Sequence, residues 1–173
     1  MGKSSLIKRF IENTSDGGGP TIGAAEFRRR LYLNNSSQYI SLQIWDVSGQ
    51  DKFSSVTSMY YRDADACILV YDVADRTSLD HLRSTWLHNL KEKAPVNTIT
   101  AVVGNKCDLH PKEVTEEEGE ALTQECGALL HKLVSAKKNQ GLNEVFQKLG
   151  EELLSRPSFV RSRRAQSGVI GCD

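Results

Sequence analysis

The sequence predicts an α/β fold built on a mostly parallel sheet with helices on both faces. Three observations carry that prediction. Residues 66–72 (ACILVYD) and 99–105 (ITAVVGN) are short and almost wholly apolar, as strands covered on both faces of a parallel sheet are. The segments between and after them carry apolar residues at helical spacing. Upstream, two alternating segments flank a turn, which reads as a hairpin. Strand–helix alternation with one hairpin defines the class.

The elements follow in chain order. Leu6, Ile7, Phe10 and Ile11 recur at helical spacing directly after Gly2-Lys3-Ser4-Ser5. Residues 26–33 and 39–46 form the hairpin. Ile40, Leu42 and Ile44 alternate with Ser41 and Gln43, and Asn34-Asn35-Ser36-Ser37 supplies turn chemistry. After the first buried run, Leu79, Leu82, Trp86, Leu87 and Leu90 mark a helix starting near Thr77, where Thr77 and Asp80 have capping-box spacing. Thr115 and Glu118 form a second capping box after the 99–105 strand. Residues 131–134 (HKLV) read as a short strand. Leu142, Val145, Phe146, Leu149 and Leu153 give one face of a last helix. From Arg161 the periodicity is lost. The expected organisation is one domain over 1–157 and a flexible tail over 158–173.

Composition narrows the function. The chain has 173 residues, 39% hydrophobic and 25% charged, with 22 basic and 22 acidic residues. That length suits one domain, and the zero net charge argues against a nucleic-acid binder. No apolar run approaches the roughly 18 residues of a membrane span, and the start lacks the apolar core of a signal peptide. The four cysteines (Cys67, Cys107, Cys126 and Cys172) form no CxxC pair or metal spacing. A reducing, cytosolic setting fits them, and Cys67 reads as a buried small hydrophobe.

Four short motifs carry chemistry, and their order matters more than any one of them. Gly2-Lys3-Ser4-Ser5 is the second half of GxxxxGK[ST] opening a helix. A helix start offers N–H groups and a positive dipole end to phosphate. Lys3 can reach β- and γ-phosphates, and the Ser4 hydroxyl can ligate Mg²⁺. A basic residue near a chain start is the bland alternative. Asp46-Val47-Ser48-Gly49-Gln50 follows a strand. There Asp46 can hold Mg²⁺ through water, Gly49 can bring its N–H to a γ-phosphate, and Gln50 can orient an attacking water. A turn after a strand is the bland alternative. Asn105-Lys106-Cys107-Asp108 ends the second apolar run. The Asp108 carboxylate can accept from the N1–H and exocyclic amine of guanine, an arrangement adenine does not present. A polar left-handed turn is the alternative, and this motif is the most specific of the four. Ser135-Ala136-Lys137 follows the HKLV strand, and its N–H groups can meet guanine O6. All four sit at strand ends, where open α/β sheets bind ligands.

On these motifs the chain resembles a Rab-type small GTPase of the Ras superfamily over nearly all of residues 2–155. Further Rab-like wording is Thr21-Ile22-Gly23-Ala24-Ala25, Leu42-Gln43-Ile44-Trp45-Asp46, Met59-Tyr60-Tyr61-Arg62 and Val70-Tyr71-Asp72-Val73. The first of these is closest to the endosomal branch. The resemblance implies a P-loop G domain that binds GTP or GDP with Mg²⁺ and hydrolyses GTP. In that reading Gln50 and Lys3 are catalytic. Gly2, Lys3, Ser4, Ser5, Thr21, Gly49, Asn105, Lys106, Asp108, Ser135, Ala136 and Lys137 hold nucleotide, and Ser4, Thr21 and Asp46 hold the metal. It further implies a monomeric two-state switch in membrane trafficking. Effectors, an exchange factor and a GTPase-activating protein would read Thr21 and the 46–61 region. The setting is the cytosolic face of endomembranes.

Departures from the family set further expectations. The first glycine of the phosphate loop and the strand feeding it would lie before Met1, so the central first strand is expected to be missing. A domain lacking it would be of marginal stability. Ser15 stands where a guanine-stacking aromatic is usual, Val47-Ser48 replaces Thr-Ala, and Glu26 resembles an insertion. Gly171-Cys172-Asp173 is not a CaaX ending. The second reading is a non-hydrolysing Rab-like interaction module.

Overall fold

Alternation of Ile40, Leu42 and Ile44 with Ser41 and Gln43 produces the expected hairpin. Strands β1 (Ala24–Tyr32) and β2 (Tyr39–Val47) pair antiparallel, with Leu31 opposite Ile40 and Phe27 opposite Ile44. The structure is a computed structural model and describes residues 2–14, 24–34, 38–47, 60–157 and 168–172. The apolar runs become β3 (Ala64–Asp72) and β4 (Ile99–Asn105), both buried nearly throughout, and β5 (Leu130–Leu133) follows. β3, β4 and β5 are parallel neighbours. Parallel pairing needs crossovers, and helices supply them.

Before these strands comes α1 (Lys3–Glu12). Between β3 and β4, α2 (Arg76–His81) passes through one π-helical turn (Leu82–Trp86) into α3 (Leu87–Lys93). The wider turn keeps Leu79, Leu82, Trp86, Leu87 and Leu90 all buried. Then come α4 (Glu116–Cys126) and α5 (Leu142–Ser155). The helices cover two faces. On one, α1 and α5 pack on Ile44, Ile68, Val70 and Val103, with the Phe10 and Phe146 rings stacked at 3.6 Å between centroids. On the other, α2, α3 and α4 cover Cys67, Leu69, Tyr71 and Val102. Cys67 is buried as expected.

Two expectations change. The helix after β3 is capped by Asp75, not Thr77. The Asp75 carboxylate accepts from the Thr77 N–H at 3.0 Å and from the Thr77 hydroxyl at 2.5 Å, which puts Thr77 inside the first turn. A carboxylate is the stronger acceptor for the free amides there, so the earlier residue wins. The Thr115–Glu118 capping box forms as expected.

The second change concerns the tail. Of residues 158–173, Gly168–Cys172 forms a strand, β6. It lies between β2 and β3, giving the sheet order β1-β2-β6-β3-β4-β5. It is parallel to both neighbours. The position expected to be vacant is thus filled by residues from the other end of the chain. Five residues with two glycines carry no periodic signal. What makes them a strand is two open ladders, one on β2 and one on β3, a tertiary effect that propensity does not see.

Candidate functional site

The carboxyl ends of the parallel strands converge on one side, and three loops meet there. α1 supplies the first. Gly2 is its N-cap at φ +84°, a left-handed conformation that suits glycine, and its carbonyl accepts the Leu6 N–H at 3.0 Å. A Cβ at Gly2 would stand 2.9 Å from Asn105 Nδ2. Only a glycine lets the start of α1 approach the end of β4 this closely.

The second loop follows β4. Asn105 is buried beside Asp72, its ladder partner on β3. Lys106 turns the chain at φ +64°, and its Nζ lies 2.5 Å from Asp72 Oδ2. The Cys107 N–H donates to the Val134 carbonyl at 3.0 Å, and the Val134 N–H to the Gly104 carbonyl at 2.8 Å. These bonds fasten the loop to the end of β5. Gly104 is a tight point, since a Cβ there would meet the Tyr71 hydroxyl at 2.6 Å and Leu133 Cδ2 at 2.7 Å.

The third loop follows β5. It closes on itself through reciprocal backbone bonds between Ser135 and Gln140, at 3.1 and 3.0 Å. Ser135 is fully buried; its hydroxyl donates to Asp108 Oδ1 at 2.5 Å and accepts the Lys138 N–H at 2.9 Å. The Ala136 N–H donates to Asn105 Oδ1 at 3.2 Å. Asn105 therefore touches both other loops, through Nδ2 beside Gly2 and Oδ1 on Ala136.

The electrostatics suit a hydrogen-bond acceptor at Asp108. The Ser135 hydroxyl holds its carboxyl below the usual range, with Lys137 and Lys138 acting the same way, so it is a carboxylate at neutral pH. Burial, aided by the Asp108 charge, pushes the Cys107 thiol up. Cys107 is therefore no thiolate nucleophile.

Between the loops lies a cleft of about 360 Å³, lined by Gly2, Ser5, Asn105, Lys106, Asp108, Ala136 and Lys137 among others. Seven of the residues predicted from sequence thus share one concavity, with Ser135 directly behind it. Lys3 instead lines a smaller apolar cavity beneath α1, with Leu6, Ile7, Ile44 and Ile68. Ser4 is in the first turn of α1, and Asp46 is buried near the carboxyl end of β2. Thr21, Gly49 and Gln50 lie outside the described residues, as does Ser15.

Sequence reading missed two charged contributors. Arg9, two turns into α1, donates from Nε to the Ala136 carbonyl at 2.7 Å and from Nη2 to the Lys137 carbonyl at 3.3 Å. Asn139 Nδ2 donates to Asn13 Oδ1 at 3.1 Å, so the far end of α1 is tied to the same loop. Asp72 is the other. An aspartate closing an apolar run is the signal that pointed to Asp46, and it could have pointed here.

These groups fit a guanine nucleotide. The carboxylate is a double acceptor, the cleft is wide enough for a base and sugar, and the start of α1 borders it, where an anion is favoured. Ser4 and Asp46 offer the oxygen ligands that Mg²⁺ takes.

The sequence model of the Ras family matches residues 1–155. Ras-related protein Rab-17 of Mus musculus is 39% identical over 170 residues, covering 97% of this chain and 78% of its own. GTP-binding protein ypt2 of Schizosaccharomyces pombe is 37% identical over 154 residues, covering 88% and 76%. Ras-related protein Rab-31 of Rattus norvegicus is 35% identical over 172 residues, covering 98% and 85%.

Proposed function

Since this chain belongs to the Ras family and is a Rab-type small GTPase, we propose that it binds GTP and GDP with Mg²⁺, hydrolyses GTP and acts as a switch in membrane trafficking. The observation that carries this reading is the joining of Asn105, Asp108, Ser135 and Ala136 around the cleft that Gly2 borders. Asp108, fixed by Ser135, accepts from guanine N1–H and the exocyclic amine. An adenine base would leave the carboxylate unpaired, which a site built on such bonds rejects strongly. The Ser135–Lys137 segment presents N–H groups toward O6, with the Ala136 N–H shared with Asn105 Oδ1. Lys3 and the amides of the first turn of α1 hold the β- and γ-phosphates.

Ser4, Thr21 and Asp46 hold the metal, which when bound neutralises charge on the phosphate oxygens. Gln50 orients the water that attacks the γ-phosphorus, and Gly49 gives its N–H to a γ-phosphate oxygen. Charge develops between the β- and γ-phosphates as the bond breaks, and Lys3 is the cation of this chain that meets it. No arginine of the sequence is assigned to that charge, so fast turnover needs one supplied by a partner. With γ-phosphate bound, Thr21 and the 46–61 region present a surface to effectors, and hydrolysis withdraws it. Exchange factors and GTPase-activating proteins act on the same surface, on the cytosolic face of an endomembrane. Among the described residues no helix is long and apolar enough to cross a membrane.

Calorimetric titration with Mg·GDP, Mg·GTP and Mg·ATP tests this directly. Both guanine nucleotides are expected to bind and ATP is not. Absence of guanine-nucleotide binding would sink the reading. Binding without phosphate release in a single-turnover assay would favour the non-hydrolysing module instead.

A further inference from the structure

β3 ends in a buried aspartate, and a lysine of the loop after β4 is tied to it. Asp72 closes the strand as the ladder partner of Asn105 and is only 4% exposed. A carboxylate at that depth needs partners for its oxygens. Oδ1 accepts the Ala74 N–H at 3.0 Å, and Oδ2 lies 2.5 Å from Lys106 Nζ. The Asp72 N–H donates to Ser78 Oγ at 2.9 Å, and the Val73 N–H to the Asn105 carbonyl at 3.0 Å. The strand end that carries the carboxylate is thus fastened to α2 on one side and to β4 on the other. Asp72 is the fixed member of the pair. Lys106, with a side chain 41% exposed, is the member that could go elsewhere.

It has somewhere else to go. Asp108 is two residues away, and both line the cleft. An unrestrained lysine there would pair with Asp108 and occupy the acceptors that the N1–H and amine of guanine require. The structure shows the other choice. The backbone turns at φ +64° at Lys106, its carbonyl accepts the Leu109 N–H at 2.9 Å, and its ammonium goes to Asp72. The cations that act on Asp108 come from the facing loop, as Lys137 and Lys138, and its Oδ1 takes the Ser135 hydroxyl. With the ammonium held at Asp72, Lys106 offers the cleft its four-carbon stem, an apolar wall against which a base can lie.

We propose that Asp72 is a positioning residue for guanine nucleotide: it draws the Lys106 ammonium away from Asp108, leaving that carboxylate open to the base and the lysine stem beside it. This rests on the nucleotide-binding reading above and adds to it a residue that acts through Lys106. Loss of the Asp72 charge releases the ammonium to Asp108, where it competes with the base.

Calorimetric titration of Mg·GDP into the unmodified chain, Asp72→Asn, Lys106→Met and the double variant closes a thermodynamic cycle. An asparagine oxygen still accepts the Ala74 N–H, so the change falls on the partner of the lysine. Asp72→Asn is expected to weaken Mg·GDP roughly tenfold or more, a loss of about 1.4 kcal/mol or greater. Made in the Lys106→Met background, the same substitution is expected to cost less than about threefold, because no ammonium is left to place. An aspartate that only held the strand end would cost the same in both backgrounds. Thermal melting checks that each variant is folded. Should Asp72→Asn fail to fold, exchange of the Lys106 ammonium protons with water, read by NMR on the unmodified chain, decides; slow exchange is expected. Three results overturn the role of Asp72 and leave the nucleotide reading standing. They are ammonium exchange as fast as at surface lysines, a folded Asp72→Asn within about threefold of the parent, and losses that add in the double variant. If Mg·GDP does not bind the unmodified chain, both readings fall.

Discussion

Asp108→Asn isolates the base-reading step with little cost to the fold. The Ser135 hydroxyl donates to Asp108 Oδ1 at 2.5 Å. An asparagine oxygen at the same position still accepts that bond, so the 135–140 loop keeps its anchor. What changes is the edge offered to the base. A carboxylate gives two acceptors to the two donors of guanine. An amide gives one acceptor and one donor. Guanine therefore loses one bond and gains a donor facing its amine, while xanthine, with N1–H beside a 2-carbonyl, becomes the matched base.

The magnitude depends on exposure. Hydrogen bonds to charged groups contribute about 1.5–3 kcal/mol each, and two of them set an upper bound near 6. Asp108 is only partly buried, so the lower part of that range applies. A loss of about 2–4 kcal/mol corresponds to roughly 30- to 1,000-fold weaker GDP. Competition titration of a fluorescent GDP against GDP and xanthosine diphosphate reads both arms. The argument is refuted if Asp108→Asn is folded and binds GDP within threefold of the parent. It is also refuted if GDP affinity falls with no gain for xanthosine diphosphate, because then the residue supports the loop without reading the base.

Two further predictions use other parts of the site. Arg9→Ala removes the bonds from α1 to the Ala136 and Lys137 carbonyls; with the group partly exposed, a loss of about 1–2 kcal/mol is expected, which thermal melting should show as a fall of roughly 2–8 °C. His131 sits 2.9 Å from the Tyr71 hydroxyl, and burial holds its pKa below the usual value, opposed by Glu116 and Glu120. The unfolded chain, with an ordinary histidine near 6.5, binds a proton that the folded chain refuses. Stability therefore falls as pH drops below about 6.5 and continues to fall until the folded pKa is reached. Denaturant midpoints at pH 7.5 and 5.5 should differ less in His131→Gln than in the parent.

Legibility followed the range of the physics. β4 was read at its observed ends because a run buried on both faces is visible in composition alone. The β1–β2 hairpin was visible because one covered face imposes a period of two. The Thr115–Glu118 box was visible because its partners are three residues apart. The Asp75 cap was not legible because Ser78, not Glu or Gln, stands three residues after it, while Thr77 and Asp80 have capping-box spacing. Arg9 was missed because its partners, Ala136 and Lys137, lie 127 and 128 residues away. β6 was read as tail because its reason for being a strand resides in β2 and β3. Among site residues, Asn105, Asp108 and Ser135 were legible by type and order, since base recognition demands particular donors and acceptors at particular strand ends. Lys3 was legible as a motif, yet its place beside the apolar cavity was not.

The contacts of Asn105 explain why the base and phosphate halves should be considered together. The motif reading gives this residue to the base. Its two side-chain atoms lead elsewhere, Oδ1 to the Ala136 amide and Nδ2 toward Gly2. It therefore sets the distance between the loop that reads the base and the helix start that faces phosphate. Arg9 and Asn13 fix the other end of the same helix to the same loop. α1 thus starts against Asn105 at the end of β4 and is bonded at its far end to the loop that follows β5, which orients its N-terminal amides with respect to a base seated at Asp108. Such positioning matters because the dipole and amide contribution to an anion falls off within the first turn of a helix. A shift of the helix start would leave the base contacts intact and lose the phosphate.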